Sequence, residues 1–283
     1  MNKTISILGC GWYGLPLAKE LISLGYEVKG STTTKEKMPA LREAGIKTYL
    51  IEAASEKIKF ADSFFESDIL IICIPPKRSE GAQESYAGKI ENIADAAGKG
   101  TVKQVIFISS TSVYGDVNQA VTESTTPKPD TASGHVLLAA EEILQNQQAF
   151  KSTIIRFAGL VGPDRDPARF FAGKSNVPNG LAPVNLIHLY DCIGITISIM
   201  EQHAYGFIIN AVSADHPAKQ EFYKQAANKS GLAVPSFINE LNNWKTVDTN
   251  QIPSSLSYSY KIADWSQWLN EDKNDNLPGL HDK

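Results

Sequence analysis

Unbroken apolar runs alternate with segments of helical spacing through the first 160 residues of the chain. Runs without polar alternation are typical of parallel strands that are covered on both faces. The predicted strands cover residues 5–8, 26–31, 46–51, 68–74, 104–109 and 152–157. The predicted helices cover residues 15–22, 35–43, 84–98 and 133–150. This repeated order predicts an α/β fold, a Rossmann-type doubly wound parallel sheet with right-handed crossovers.

The pattern becomes irregular after residue 162. Loops rich in proline, glycine and asparagine occupy 162–183, and the clearest later elements are expected at 184–189, 206–211 and 218–229. In open α/β sheets the ligand lies outside the carboxyl ends of the strands. We therefore expect a Rossmann domain over 1–160 and a smaller, irregular C-terminal substrate lobe over 161–283, with some of its elements returning to the sheet. The polar tail from Asn270 is expected to fray.

A glycine turn interrupts the first apolar run, with the sequence Gly9-Cys10-Gly11-Trp12-Tyr13-Gly14. The spacing G-x-G-x-x-G between a buried strand and a helix is typical of a site for the phosphates of a dinucleotide. Gly9 permits the tight turn, Gly11 lets the backbone approach a pyrophosphate, and Gly14 lets the helix pack on the strand. Trp12 and Tyr13 complete the predicted loop, and the helix N-terminus supplies N–H groups for the anion.

The end of the second strand bears on the choice between NAD and NADP. NAD enzymes usually place an acid there to bind the ribose 2′-hydroxyl, whereas NADP enzymes supply basic or hydroxyl groups. Here the strand ends without an acid, and Thr32, Thr33 and Lys35 are candidates to hold a 2′-phosphate. We therefore expect NADP in preference to NAD. Thr34 also fits a simple N-cap for the following helix, and the two interpretations are compatible.

Four further positions at the ends of predicted strands are included in the expected cofactor site. Glu52, which closes the third strand, is a candidate to bond adenine, and it fits a solvated loop acid equally well. Ile74 ends the fourth strand, Pro75 follows it, and Ser109 ends the fifth. The carboxyl ends of parallel strands share one edge of the sheet, so these residues are expected near the glycine turn.

Composition excludes several functional classes. The chain has 283 residues, and its 27 basic and 31 acidic residues give a net charge of −4 without a basic stripe, so nucleic acid is not an expected partner. Its first residues do not resemble a signal peptide, and no run approaches the roughly 20 apolar residues of a membrane helix. The widely spaced Cys10, Cys73 and Cys192 fit reduced thiols of a cytoplasmic protein. The histidines lack metal-ligand spacing, so no metal site is expected.

Three segments resemble the extended short-chain dehydrogenases/reductases, the superfamily of NAD-dependent epimerases and dehydratases. Residues 107–115 are similar to its S-S-x-x-V-Y-G stretch, residues 154–163 to its R-x-x-x-x-x-G-P segment, and residues 185–191 to its F-I-H-V-x-D segment. The opening G-W-x-G-x-P-L-A and residues 167–174 resemble an atypical, small bacterial branch that is YeeZ-like. The resemblance implies an NAD(P) cofactor and a nucleotide-linked sugar, or a similar hydroxyl compound, as substrate.

The resemblance fails at the catalytic pair of that family. Its chemistry needs a serine or threonine and Y-x-x-x-K, in which the lysine lowers the pKa of the tyrosine hydroxyl. Ser110 takes the position of the serine that holds the substrate oxygen, but Ser133 and Leu137 stand at the tyrosine and lysine positions. Residues 115–150 contain no tyrosine and only one lysine. The remaining candidates for proton transfer are Tyr114 and His135.

Three functional hypotheses follow. The first is an NAD(P)-dependent epimerase, dehydratase or oxidoreductase with a nonstandard proton donor, in which Arg165 and Arg169 bind the substrate phosphate or carboxylate. The second is a dinucleotide-sensing or scaffold protein without catalysis. The third is a β-hydroxyacid dehydrogenase, which opens with the same glycine motif but expects a long, all-helical second half. The strand-like runs at 152–157, 184–189 and 206–211 argue against it. Family members often pair through two long helices, here 84–98 and 133–150, which implies a homodimer.

Overall fold

Strands and helices alternate through residues 3–52, 62–76, 84–252 and 255–271, which are the residues that the computed structural model describes. The strands are β1 (Thr4–Leu8), β2 (Glu27–Thr32), β3 (Lys47–Leu50), β4 (Ile69–Ile72), β5 (Gln104–Ser110), β6 (Gln119–Val121), β7 (Lys151–Phe157), β8 (Gly159–Val161), β9 (Leu186–His188), β10 (Ile208–Ala211) and β11 (Lys245–Val247). The helices are α1 (Gly14–Ser23), α2 (Met38–Glu43), α3 (Glu84–Lys99), α4 (Ala132–Gln145), α5 (Leu189–Glu201), α6 (Lys219–Lys229) and α7 (Trp265–Asn270).

A seven-stranded parallel sheet has the order β10-β7-β5-β4-β1-β2-β3, which confirms the predicted Rossmann-type fold. The chain first builds outward from β1 through β2 to β3, and then crosses to the other side of β1 for β4 and β5. Strand order therefore reverses between β1 and β4. A reversal of this kind leaves a crevice at the carboxyl ends of the strands, where open α/β sheets bind ligands.

The central strands are buried on both faces, as their unbroken apolar runs predict. All four residues of β4 are buried, and Ile5 and Ile7 of β1 have no exposed surface. Helix α1 packs on β1 and β2, while α3 packs against α4. Burial of this apolar surface is the main stabilising contribution to the sheet, at roughly 25 cal/mol per Å².

Some boundaries differ from the sequence predictions. The helix expected to run to residue 150 ends at Gln145. The Ser152 hydroxyl donates to the Leu144 carbonyl at 2.6 Å, and β7 begins at Lys151. The helix expected over 35–43 is divided into a 3₁₀ turn, Lys35–Lys37, and α2, which has Pro39 in its first turn. Proline fits there because its missing N–H has no helical partner in that turn.

Two compact units interleave along the chain. One comprises Met1–Val113, Pro129–Arg156 and Ile197–Ile209, and the other comprises Tyr114–Lys128, Phe157–Thr196 and Asn210–Lys283. The second unit contains the pairs β8–β9 and β6–β11, with a core around the fully buried Trp265. The division predicted at residue 160, with some later elements returning to the sheet, remains a prediction. Beyond residue 271 the predicted tail lies outside the described residues.

Across the described ranges, the helices lack the combination of length and apolarity that crossing a membrane requires.

Candidate functional site

The glycine turn after β1 is fixed against β2 by two hydrogen bonds to Ser31. The Gly9 N–H donates to the Ser31 hydroxyl and the Cys10 N–H donates to the Ser31 carbonyl, both at 2.9 Å. Gly9 has φ = 104°, in the left-handed region that side chains disfavour. A Cβ there would also lie 3.1 Å from Ile74 Cγ2. Both constraints explain why the tight turn requires glycine.

Gly11 and Gly14 have opposite surroundings. A Cβ built on Gly14 collides with the Gly9 carbonyl oxygen, so this glycine allows α1 to approach the turn. A Cβ built on Gly11 meets no atom of the described residues within 4 Å. Gly11 therefore faces open space, which is what the close approach of a ligand to the backbone requires.

Helix α1 begins at this turn and runs for 10 residues with no acidic residue in its first turn. Its N-cap residue, Tyr13, makes no side-chain capping bond. The helix N-terminus thus carries a partial positive charge that its own first turn does not neutralise, an arrangement that favours an anion.

A cleft of about 820 Å³ opens beside the turn, within the first compact unit. Its volume falls in the range of small-molecule and cofactor pockets. The lining comes from the carboxyl ends of β1 and β2, from the residues that follow β1, β2, β3 and β4, and from one face of α3: Leu8, Gly9, Cys10, Gly11, Ser31, Thr32, Thr33, Thr34, Lys37, Ile51, Glu52, Cys73, Ile74, Pro75, Ser85, Tyr86 and Lys89. Of the positions predicted for the cofactor, this lining omits Trp12, Tyr13, Gly14, Lys35 and Ser109.

The lining residues that sequence reasoning missed include one from the 3₁₀ turn before α2 and three from α3. Lys37 lies in the cleft where Lys35 was expected, and α3 contributes Ser85, Tyr86 and Lys89. The Tyr86 hydroxyl donates to the Ile74 carbonyl at 2.7 Å, and burial raises the pKa of Tyr86. Tyr86 therefore keeps its proton, and its hydrogen bond to Ile74 anchors the segment that follows β4. Its spacing of three from Lys89, which places both on one helical face, is the signal that sequence inspection had available.

The charges of the lining favour an anionic ligand. Lys37 and Lys89 contribute two ammonium groups, while Glu52 contributes the one carboxylate among the lining residues. Cys10 and Cys73 also line the cleft, and burial raises the pKa of Cys10 to about 12. These thiols are therefore protonated near neutral pH and form part of the apolar floor.

A buried ion pair links β7 to α4 and contacts the carboxyl end of β5. Arg156 of β7 and Glu141 of α4 are each 1% exposed, and Arg156 Nη2 lies 2.6 Å from Glu141 Oε2. Arg156 Nε also donates to both carboxylate oxygens, at 3.1 and 3.2 Å. The Ser109 hydroxyl donates to Glu141 Oε1 at 2.5 Å. This network fixes β5, α4 and β7 together and occupies the Ser109 hydroxyl.

The candidate catalytic residues have different environments. Ser110 is half-buried, and its hydroxyl accepts the Ser112 N–H at 3.1 Å. Tyr114 is 1% exposed, with its hydroxyl 3.0 Å from the Thr122 carbonyl and 3.1 Å from Asn210 Oδ1. These contacts give the Tyr114 hydroxyl a structural role within the second unit.

The start of α4 carries Ser133 and Leu137, which the sequence comparison predicts to stand at the positions of the catalytic pair. Leu137 is buried with 6% of its surface exposed, and Ser133 lies 3.4 Å from the Thr131 hydroxyl. His135 is exposed. A Cβ on Gly134 would collide with the Ser112 carbonyl, so α4 packs closely on the chain that follows Ser110.

The two arginines predicted to bind substrate are exposed in the second unit. Arg169 belongs to a 3₁₀ turn, Pro167–Phe170, that Asp166 caps by accepting the Ala168 N–H at 3.0 Å. Asp166 also accepts the Ser230 hydroxyl at 2.6 Å, which ties this loop to the end of α6.

Comparison with known proteins places these features in a wider group. The model of a family described as NAD(P)H-binding matches residues 9–182. Protein YeeZ of Escherichia coli (strain K12) is 39% identical over 267 residues, which cover 93% of this chain and 97% of that protein.

Solved structures share the fold. UDP-glucuronic acid 4-epimerase from Bacillus cereus, solved in complex with NAD, is 18% identical with a TM-score of 0.77, covering 94% of this chain and 96% of that one. A conserved protein of unknown function from Silicibacter pomeroyi DSS is 21% identical with a TM-score of 0.75, covering 95% and 97%. At these identities the likeness supports the fold alone.

Proposed function

We propose, since the chain belongs to the NAD(P)H-binding family and is a homologue of YeeZ, that it binds NADP(H) in the cleft after β1 and acts on a nucleotide-linked sugar. The observation that carries the proposal is the open space over Gly11 beside the N-terminus of α1, inside a cleft of about 820 Å³. When bound, a nicotinamide cofactor would supply hydride transfer.

The residues present fit such a cofactor. The glycine turn and α1 would hold the pyrophosphate through backbone N–H groups. Thr32, Thr33 and Lys37 would receive a ribose 2′-phosphate, because β2 ends in hydroxyls and the nearby turn adds a cation. Glu52 would face the adenine side of the cleft. This assignment favours NADP over NAD and replaces Lys35 by Lys37 in the role expected from the sequence.

The substrate assignment draws on the epimerase structure, which was solved with NAD and carries UDP-glucuronic acid in its name. In this chain the Ser110 hydroxyl would hold the reacting oxygen of the sugar. Arg165 and Arg169 would bind the phosphates, in the role that the sequence predicts for them. A planar guanidinium binds phosphate through two parallel hydrogen bonds, which suits this role.

The catalytic proposal also requires a residue that transfers a proton. The Tyr114 hydroxyl is buried and donates to the Thr122 carbonyl and to Asn210. His135 is exposed, and within the described residues its ring makes no hydrogen bond that would orient it. Leu137 supplies no charge that would lower the pKa of a hydroxyl. A second candidate function, a dinucleotide sensor or scaffold without chemistry, is favoured by this observation.

Cofactor choice is tested by titrating NADPH and NADH into the protein and following nicotinamide fluorescence. Lys37→Gln should weaken NADPH binding by about tenfold, the effect of one lost phosphate contact, and leave NADH binding unchanged. Lys35→Gln is the matched control and should retain the wild-type affinity for both. Equal affinity of the wild type for both cofactors, or a loss confined to Lys35→Gln, would contradict the assignment.

Catalysis is tested by following the absorbance of the reduced cofactor, and product formation by chromatography, with UDP-sugars as substrates. Ser110→Ala should reduce turnover strongly, while Tyr114→Phe or His135→Ala should abolish it only if that residue moves the proton. Bound cofactor without turnover on any sugar nucleotide would favour the sensor. Failure to bind either nicotinamide cofactor would reject both functions.

Two broader expectations belong to the same proposal. The family resemblance and the three unpaired cysteines favour a cytoplasmic protein. Helices α3 and α4, which pack against each other, would form the contact of a homodimer. Sedimentation velocity would test the dimer, and a single species of monomer mass would reject it.

A further inference from the structure

A second pocket, of about 310 Å³, lies at the opposite edge of the same sheet, within the first compact unit. Its lining comes from residues at the amino ends of β1, β4, β5 and β7 and from the turn before β10: Lys3, Asp68, Ile69, Lys103, Gln104, Lys151, His203 and Tyr205. None of these residues belongs to the dinucleotide cleft, which lies at the carboxyl ends of the strands. The two pockets are therefore separate sites on one sheet.

Positive charge concentrates in this second pocket. Lys3, Lys103 and Lys151 line it, and none of their ammonium groups forms an ion pair within the part of the chain that the structure describes. Lys103 and Lys151 are adjacent at the amino ends of β5 and β7, because the Lys151 N–H donates to the Lys103 carbonyl at 3.0 Å. The one lining carboxylate, Asp68, already accepts the Thr4 N–H at 2.8 Å. The pocket thus has an excess of cations that a bound anion would neutralise.

Two buried polar atoms of the lining residues lack partners. The amide oxygen of Gln104 and the hydroxyl of Tyr205 are both shielded from solvent and make no hydrogen bond within the described residues. Burial raises the pKa of Tyr205 to about 12, so this hydroxyl retains its proton as a donor. Buried polar atoms are rarely left unpaired in folded proteins, and an exception indicates a bound water, ion or ligand.

We propose that this pocket binds a small phosphate-bearing ligand that also carries a hydroxyl group. The lysines and the Tyr205 hydroxyl would donate to phosphate oxygens, while the Gln104 amide oxygen would accept from the ligand hydroxyl. The volume is at the lower limit for small-molecule sites, which suits a phosphorylated compound much smaller than a dinucleotide. The site is independent of the proposed cofactor function, because it shares no residue with that cleft.

Two-dimensional ¹H–¹⁵N NMR locates such binding directly. Inorganic phosphate and glycerol 3-phosphate are titrated at constant ionic strength, with chloride as the compensating ion. We expect saturable shifts of the Gln104 side-chain amide and the Tyr205 backbone amide, whose concentration dependence differs from that of any shifts at Gly9 and Gly11. Glycerol 3-phosphate should bind more tightly than phosphate, since only it has a carbon-borne hydroxyl for Gln104. Equal affinities would overturn the role given to Gln104.

Substitutions of single residues distinguish a specific phosphate site from general electrostatic attraction of anions to the surface. Lys103→Gln and Lys151→Gln should each weaken binding by about fivefold, as expected for one exposed charge contact. Tyr205→Phe should also weaken binding, with the fold checked by its amide spectrum. Lys47→Gln is the matched control, because Lys47 is exposed at the amino end of β3 but does not line the pocket.

Three results would overturn the proposal. The first is the absence of saturable shifts at Gln104 and Tyr205 with either compound. The second is an equal loss of affinity in Lys47→Gln and Lys103→Gln, which would indicate general ionic attraction. The third is a set of shifts confined to the glycine turn, which would place the phosphate in the dinucleotide cleft.

Discussion

The buried His188 makes the stability of the protein depend on pH between neutrality and mild acid. It ends β9 with 2% of its surface exposed, and its ring lies 5.3 Å from the ring of Trp268. Its Nδ1 accepts the backbone N–H of Tyr190 at 3.3 Å. Burial lowers the pKa of His188 from 6.5 to about 4, because a charged imidazole is unfavourable in these surroundings.

The sign of the effect follows from the order of the two pKa values. Between pH 6.5 and about 4 the unfolded chain protonates this histidine while the folded protein keeps it neutral. The unfolded state then binds more protons, so the free energy of unfolding decreases as the pH falls through this window. At about 1.36 kcal/mol per pH unit the full loss is about 3 kcal/mol, of which about 2 kcal/mol falls between pH 7 and pH 5.

Urea unfolding of the wild type and of His188→Asn at the two pH values measures this contribution. Asparagine offers an acceptor to the Tyr190 N–H but does not titrate, so the variant should lose about 2 kcal/mol less than the wild type on acidification. His135→Asn, which replaces an exposed histidine of α4, should behave as the wild type does. The same pH dependence in wild type and His188→Asn would refute the reasoning.

Other substitutions test the packing behind the cleft. Glu141→Ala leaves the buried Arg156 guanidinium without its carboxylate and should lower the free energy of unfolding by about 3–5 kcal/mol. A loss below about 1 kcal/mol in urea unfolding would contradict the paired geometry. Gly14→Ala should lower Tm and dinucleotide affinity together, because its Cβ collides with the Gly9 carbonyl. Gly11→Ala should retain the wild-type Tm and lose affinity, and a reduced Tm would show that its Cβ is not in open space.

The strand, turn and helix at the start of the chain were predictable because their signals are local. An apolar run specifies a covered strand, and three glycines at fixed spacing specify the turn and the packing of α1. The alternation of strands and helices, with general connection rules, predicts a parallel, doubly wound sheet but does not specify which strands are neighbours. The buried β4 and the fold class were therefore accessible from the sequence, and the strand order was not.

Features that depend on distant contacts were not predictable. Strands β6 and β11 pair in parallel although their residues, 119–121 and 245–247, lie far apart in the sequence. Lys37 lines the cleft because the chain forms a 3₁₀ turn before α2, whereas a continuous helix had been expected. The face that α3 presents to the cleft is set by its packing on α4, which no local pattern encodes.

The cofactor cleft and the catalytic pair of the resembling family impose separate requirements on the chain. The cleft is formed by the turns after β1, β2 and β4, and its glycine turn is held mainly by backbone contacts and Ser31. The catalytic pair would need only two side chains on α4, and Leu137 is buried there while Gly134 keeps the helix close to its neighbour. The fold and the cleft therefore do not depend on the side chains at those two positions. Binding of a dinucleotide is therefore necessary for turnover but not sufficient, and the two properties need separate measurements.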